Sequence, residues 1–126
     1  MEESAFAKIP EAEHIASNRS AFAVWDQFPV TSGHALVIPR RVIGAWWSAS
    51  EEEQIDLLRL VADVRLVIER EHQPDGYNIG INVGESAGQT INHLHVHVIP
   101  RYSGDVPDPR GGVRHVIPSK GNYLSS

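Results

Sequence analysis

Three histidines at alternate positions are the residues of this sequence best suited to chemistry. His93, His95 and His97 occur within the run HLHVHVI, in which apolar residues fill the positions between them. On a β-strand alternate side chains share a face, so the three imidazoles would form a row with neighbours about 6.6 Å apart. Imidazole can act as a nucleophile, a proton donor or a metal ligand near neutral pH. The run therefore predicts a row of reactive side chains on one face of a strand, with a buried apolar face behind it.

This row has three interpretations. It could be a polar strand that faces solvent. It could bind zinc through two neighbouring histidines, although the first and third would lie about 13 Å apart, so one ion is not expected to bind all three. It could also attack phosphorus, with one neutral histidine as nucleophile and a second, protonated one as donor to the leaving oxygen. We favour the third, because three histidines spaced by two are not expected by chance in a chain that contains seven.

The elements that would position this row are four strands and one helix. Residues 50 to about 71 begin with the capping box Ser50–Glu53 and carry apolar residues at helical spacing, which predicts a long helix. Apolar or alternating segments predict strands at 21–25, 34–38, 78–83 and 92–99, the first two joined by a turn over 29–33. Residues 6–15 suit either a short strand or a turn. This order predicts an α+β domain with a mainly antiparallel sheet.

Length and composition restrict the class of protein. The 126 residues correspond to one domain, and 41% apolar with 21% charged residues is typical of globular chains. Net charge is 11 − 16 = −5, which argues against binding a nucleic-acid backbone. The lack of cysteine excludes disulfides, thiolate metal sites and a cysteine nucleophile. No apolar leader follows Met1–Glu3 and no run reaches about 18 apolar residues, so we expect a cytoplasmic protein without a membrane span.

The sequence resembles the histidine triad family in three separate motifs. Residues 93–99 fit its H-φ-H-φ-H-φ-φ signature, in which φ is apolar, at every position. Residues 26–39 resemble its D-x-x-P-x-x-x-G-H-x-L-V-I-P block, and residues 82–90 resemble its N-x-G-x-x-x-G-Q-[ST] loop. The resemblance extends over roughly residues 5–103. It implies an α+β fold with about five antiparallel strands and one long helix, and a sheet that continues across a homodimer.

The resemblance also implies a nucleotidyl hydrolase or transferase that acts at the α-phosphorus of a nucleotide. By this match we expect cleavage of diadenosine polyphosphates through a covalent nucleotidyl-histidine intermediate, with release of AMP. Four alternatives stay open: an adenosine phosphoramidase, a dinucleoside polyphosphate phosphorylase, a slow-turnover nucleotide-binding regulator and a metal-dependent hydrolase. No cofactor is expected to be required, although Mg²⁺ or Mn²⁺ could enter chelated by the substrate polyphosphate.

Residue by residue, the match implies catalytic roles for four histidines. His95 corresponds to the nucleophile, and His97 corresponds to the residue that contacts phosphate and protonates the leaving group. His93 corresponds to the histidine that orients the nucleophile through its hydrogen bonds. His34 corresponds to a histidine that supports the triad from the neighbouring strand.

The match further implies a set of nucleotide-binding residues. Asp26 corresponds to the residue that accepts hydrogen bonds from ribose hydroxyls, although it could instead form the turn before Pro29. The other members would contact the base, the ribose or the phosphate: Phe6, Ile9, Val24, Asn82, Gly88, Gln89 and Thr90. The first three could equally be core residues, and the loop that contains the last three could be an ordinary glycine turn.

The sequence departs from the family at a structural zinc site. Ser4 and Ala7 stand where bacterial relatives have a C-x-x-C pair, and Val42 stands where a further ligand often follows. We therefore expect no structural zinc. The adjacent Trp46 and Trp47 could lie at the dimer interface or in the core.

The end of the chain is rich in proline and glycine. Within a single domain that spans 1–126, we expect residues from about 103 to 126 to form an extended arm. In this arm Val113, Val116 and Ile117 are apolar enough to pack against the domain. Four cations follow the histidine row and could contact a polyphosphate chain or be scattered in solvent: Arg101, Arg110, Arg114 and Lys120.

Overall fold

Five strands and one helix position the histidines. The strands are β1 (Ala16–Ser17), β2 (Ala21–Trp25), β3 (Ala35–Pro39), β4 (Gly76–Ile81) and β5 (Val96–Arg101). They form one antiparallel sheet in the order β1-β2-β3-β5-β4, which confirms the predicted α+β fold. The computed structural model describes residues 4–124, so the acidic start Met1–Glu3 lies outside the described residues.

The helix α1 (Glu51–Glu71) covers one face of this sheet. Its first turn is capped as predicted: the Ser50 hydroxyl accepts from Glu53 N–H at 3.1 Å, and the Glu53 carboxylate accepts from Ser50 N–H at 2.8 Å. The apolar side of α1 packs into the main core together with Leu94, Val96 and Val98. The residues that alternate with the histidines therefore face the helix, as predicted, and the imidazoles lie on the opposite side of the sheet.

A smaller apolar cluster lies on that opposite side. Its buried members are Phe6, Phe22, Val24, Leu36 and Ile38. Phe6 comes from a 3₁₀ helix at Phe6–Lys8, and a second 3₁₀ helix follows at Glu11–Glu13. The ambiguous N-terminal segment thus forms short helical turns. The cluster adjoins the histidines because Leu36 of β3 is paired with both Val24 of β2 and His97 of β5.

The strand β5 begins at Val96, four residues later than predicted. Its register with β3 pairs Val96 with Val37, so Leu94 would fall opposite Pro39. Proline has no N–H to donate to the ladder, which ends the pairing there. Leu94 N–H instead donates to the carbonyl of Ile43 at 2.7 Å. His93 and His95 therefore precede the strand, and only His97 lies within it.

The end of the chain differs from the predicted extended arm. It forms short 3₁₀ helices at Gly112–Val116 and Pro118–Lys120. Val113, Val116 and Ile117 are exposed, so the expectation that they pack against the domain is wrong. Polar contacts within the arm hold it instead.

The two adjacent tryptophans have different surroundings. Trp46 packs against the main core, whereas Trp47 is 77% exposed. Within residues 4–124, none of the helices combines the length and the apolar character needed to cross a membrane.

Candidate active site

The sheet brings together the four histidines that the sequence singles out. His97 lies on β5, and His34 immediately precedes the neighbouring strand β3. The ring centroids of His95 and His97 are 5.0 Å apart, and those of His34 and His97 are 5.2 Å apart. His93, His34 and His95 are buried, and His97 is partly buried. Long-range pairing thus assembles an imidazole cluster at one end of the smaller apolar cluster.

The hydrogen bond of His95 fixes which of its nitrogens can react. Its Nδ1 lies 2.8 Å from the backbone carbonyl oxygen of His93. A carbonyl only accepts, so Nδ1 must carry the proton. In the neutral ring Nε2 then has a free lone pair, which is the form that a nucleophile needs. The ring edge also packs on Phe6, with centroids 5.0 Å apart, which restricts its orientation.

The buried side chain of His93 connects the N-terminal segment at Ser4 to the end of β3 at Pro39. Its Nε2 donates to the carbonyl of Pro39 at 2.8 Å, and its Nδ1 lies 2.6 Å from the hydroxyl of Ser4. Burial is the main cause that lowers the pKa of His93, so the ring is neutral and its Nδ1 accepts the Ser4 proton. Neither bond reaches His95. The orienting contact implied by the resemblance is made by the backbone carbonyl of His93 rather than by its ring.

A chain of hydrogen bonds fixes the protons of His34 and His97. Val30 N–H donates to Nδ1 of His34 at 3.1 Å, so His34 carries its proton on Nε2. This Nε2 lies 3.0 Å from Nδ1 of His97 and donates to it. His97 therefore carries its own proton on Nε2. The relay from Val30 to His97 leaves His97 with one N–H that no member of the relay uses.

Burial keeps this relay neutral. It is the largest cause that lowers the pKa of His97 to about 4, and the neighbouring His95 and His34 lower it further, whereas Asp26 raises it. Burial likewise lowers the pKa of His34, opposed by Asp26. Near neutral pH His97 is thus a neutral hydrogen-bond donor. The protonated second histidine considered from the sequence is not its resting form in the free protein.

Three of these groups could in principle hold a metal ion. Ligand atoms of Asp26, His34 and His97 lie within 4.8 Å of one another. To bind an ion through Nε2, His34 would have to move its proton to Nδ1, where the N–H of Val30 already points. The arrangement therefore favours the hydrogen-bonded relay. The sequence analysis did not identify this group as a ligand set.

The imidazole cluster opens into a cavity of about 430 Å³. Most of the expected nucleotide-binding residues line it: Phe6, Ile9, Val24, Asp26, Asn82, Gly88 and Thr90. The sequence analysis missed other lining residues, among them Phe28, Val30, Leu36 and Ile91. No motif marked the first two as functional, and the last two resemble ordinary core positions.

Gln89 does not line this cavity. Its side-chain nitrogen donates to the carbonyls of Gly44 and Ile91 at 2.8 and 3.2 Å, and its oxygen accepts from Gly84 N–H at 2.9 Å. Two of these bonds lie within the loop over 84–91, and the third connects the loop to Gly44. The Gln89 side chain therefore braces the loop that presents Gly88 and Thr90.

Asp26 has the turn role that we considered and also faces the cavity. Its Oδ1 accepts from Phe28 N–H at 2.7 Å, and its Oδ2 lies 3.5 Å from Nε2 of His34. A carboxylate has about four acceptor positions. Asp26 can therefore hold the turn and still accept from a ligand in the cavity.

The arginines that follow the histidine row already have partners. Arg101 makes two contacts of 2.8 Å with Asp105, and Arg110 contacts Asp108 at 2.9 Å. Arg114 donates to the carbonyls of Lys120 and Gly121. These contacts favour a structural role in the arm over contact with a polyphosphate chain.

A family model and several known proteins match this chain. A family model described as "HIT domain" matches residues 8–104. An AP-4-A phosphorylase of Mycobacterium tuberculosis is 33% identical over 106 residues, and the match covers 79% of this chain and 54% of that protein. The asymmetrical bis(5'-nucleosyl)-tetraphosphatase of Schizosaccharomyces pombe is 37% identical over 121 residues, which cover 95% of this chain and 66% of that protein.

A solved structure matches over nearly its full length. The crystal structure of a member of the HIT family of proteins from Bacillus subtilis has a TM-score of 0.74 at 28% identity, with 99% of each chain covered. Against the two relatives above, this chain spans only about half to two-thirds of their length.

Proposed function

Because the chain belongs to the HIT domain family, we propose that it cleaves diadenosine polyphosphates at an α-phosphorus, with His95 as the nucleophile. The names of two relatives, an AP-4-A phosphorylase and a bis(5'-nucleosyl)-tetraphosphatase, support this substrate class. The observation that carries the proposal is the 2.8 Å contact between Nδ1 of His95 and the carbonyl of His93. It leaves the His95 Nε2 lone pair free for attack.

The proposed reaction has two displacements. Nε2 of His95 forms a bond to the α-phosphorus of diadenosine tetraphosphate while the bridging P–O bond breaks, and ATP leaves with that oxygen. Water then attacks the same phosphorus, the P–N bond breaks, and AMP is released with regeneration of His95. Two displacements replace one difficult step, which is the advantage of covalent catalysis.

His97 would stabilise the charge on the transferred phosphoryl group. Its Nε2–H would donate to a phosphate oxygen, because the bond from His34 occupies its Nδ1. A phosphate leaving group has a pKa of about 6, so it can depart as an anion near neutral pH. A phosphoramidate would instead lose an amine, which must be protonated to leave.

The cavity would bind the transferred nucleotide. The adenine would lie against Phe6, Ile9 and Val24, and Asp26 would accept from the ribose hydroxyls. The backbone around Gly88 and Thr90 would approach the α-phosphate, held in shape by the Gln89 side chain. In this proposal none of these contacts requires a metal, and Mg²⁺ would enter only with the polyphosphate.

Product chromatography tests the proposed function. Pure protein is incubated with diadenosine tetraphosphate and Mg²⁺, with and without inorganic phosphate. AMP plus ATP without phosphate supports hydrolysis. ADP plus ATP that appears only when phosphate is added supports the phosphorylase alternative, which the similarity to the mycobacterial phosphorylase favours. Absence of product in both buffers contradicts the hydrolase proposal and the phosphorylase alternative. In a separate reaction without Mg²⁺, loss of activity when a chelator is added would indicate metal-dependent hydrolysis.

We also propose that the chain forms a homodimer through β4 and α1. The strand β4 forms one edge of the sheet, and an unpaired edge can pair with a second copy. On α1, Ile55, Leu58 and Leu66 are exposed at 43%, 56% and 60% and lie along one side at helical spacing. We expect sedimentation at a dimer's mass for the wild type and a monomer for Leu58→Glu. Leu124→Glu, which changes a leucine that is 57% exposed, is the control.

A further inference from the structure

A second cavity lies beside the imidazole cluster, on the same side of the sheet. Its volume is about 490 Å³, and the arm that follows β5 forms one of its walls. Ile99 and Arg101 of β5 line this groove, and alternation places them on the same face as His97. Ile99 is therefore about 6.6 Å along the strand from His97. Val30 lines both cavities, so the groove adjoins the active-site cavity at this residue.

The lining of the groove suits a nucleoside better than a phosphate chain. Its apolar wall includes Val30, Ile99 and Val106, which could pack on a base. The arginine in the lining, Arg101, is already paired with Asp105, so its charge is neutralised. The carboxylates of Asp105 and Asp108 can accept hydrogen bonds from hydroxyl and amino groups, and the amide of Asn78 can both donate and accept.

The arm that forms one wall of the groove is preorganised. Asp108 accepts from both Arg110 and Asn122, which ties the start of the arm to its end. Gly111 has φ of +98°, and a Cβ there would collide with the carbonyl of Gly121, so the chain closes on itself too tightly for a side chain. A wall that is already ordered loses little conformational entropy when a ligand binds.

From this placement we propose that the groove binds the second nucleoside of a dinucleoside polyphosphate, the one that departs with the leaving phosphates. The inference rests on the proposed function and extends it, because it explains how a substrate with two nucleosides would be preferred. The transferred nucleotide would occupy the cavity beside Asp26, and the phosphates would cross the region of His97. The second base would then lie between Ile99 and Val106.

Two substrates and two matched variants test this inference. Diadenosine tetraphosphate and adenosine 5′-tetraphosphate share the transferred nucleotide and differ in the second adenosine. Val106→Trp fills the groove, and we expect it to raise the ratio of KM for the dinucleotide to KM for the mononucleotide about tenfold. Val116→Trp makes the same change at a residue of the arm that is 76% exposed and outside the groove lining, so it should keep the wild-type ratio.

The possible results separate the two proposals. An unchanged ratio in Val106→Trp, or a wild-type enzyme with equal KM for both substrates, overturns the groove inference and leaves the hydrolase proposal standing. If the wild type cleaves neither substrate, both proposals fail. If thermal melting shows that Val106→Trp does not fold, Val106→Ala replaces it, with an expected rise in the ratio of about threefold from the lost contact.

Discussion

The Nε2 atom of His34 lies 3.0 Å from the Nδ1 atom of His97, although 63 positions separate the two residues in the chain. Because Val30 N–H donates to the other nitrogen of His34, the bond has one direction, from His34 to His97. The direction determines that His97 presents an N–H group. A backbone amide that no sequence motif identifies thus sets the proton position of a residue in the imidazole cluster.

We expect His34→Ala to impair turnover more than substrate binding. Without the donor from His34, Nδ1 of His97 is free to carry the proton, and the wrong tautomer would place a lone pair toward the phosphate. We expect kcat to fall about a hundredfold with KM changed less than about threefold. His34→Gln retains a donor and should recover part of kcat. Steady-state kinetics on diadenosine tetraphosphate would contradict this role if KM rose while kcat stayed at the wild-type value.

The low pKa of His97 predicts a stability that depends on pH. The unfolded chain has an ordinary histidine pKa of about 6.5, whereas the folded value is about 4. Between these values the unfolded state binds more protons, so the free energy of unfolding falls as pH falls from about 6.5 to 4. The loss from this group would be at most about 3 kcal/mol.

Urea denaturation at pH 7 and pH 5 checks this dependence. The comparison is with His97→Gln, which removes the titrating ring, so groups that do not interact with His97 contribute equally to both proteins. We expect the wild type to lose more stability than the variant over this interval. Equal losses would mean that His97 is not the group whose protonation opposes folding.

Local patterns explain how much of the fold could be predicted. The capping box at Ser50 and the helical spacing that follows depend only on neighbouring residues, and α1 begins where they indicate. Alternation placed Leu94 and the other apolar residues of the run against the helix. The start of β5 was mispredicted because it depends on Pro39, which lies opposite in another strand.

The candidate site likewise contains residues that the sequence predicted and contacts that it could not predict. The histidines and Asp26 were found because their spacing resembles a known motif. The contacts of His93 with Ser4 and of His34 with Val30 come from tertiary structure, and neither a serine nor a valine carries a signal for such a role. Ser4 stood out only as a missing zinc ligand. The Gln89 side chain was assigned to phosphate because composition does not say which way a loop amide points.

A test with a modified substrate isolates the proposed ribose contact of Asp26. Asp26→Asn keeps an oxygen that can accept from Phe28 N–H, so the turn should persist. The substitution replaces the other carboxylate oxygen by an NH₂ group, which donates hydrogen bonds and cannot accept one from a ribose hydroxyl. We expect KM to rise about tenfold for diadenosine tetraphosphate and to change little for its 2′,3′-dideoxy analogue, which lacks the ribose hydroxyls. An equal rise for both substrates would assign Asp26 to the turn alone.

The most direct prediction concerns the bond that His95 would form. Its Nδ1 proton is held by the His93 carbonyl, so a phosphorylated or nucleotidylated ring would be attached through Nε2. Acid-labile adducts of this kind survive alkaline quenching, so we expect rapid mixing with diadenosine tetraphosphate, an alkaline quench and mass spectrometry to find AMP on the peptide that contains His95. His95→Ala should lose turnover by about a thousandfold or more while it still binds AMP in calorimetry. A variant that kept more than about a tenth of the rate, a barrier change below about 1.4 kcal/mol, would show that His95 is not the nucleophile.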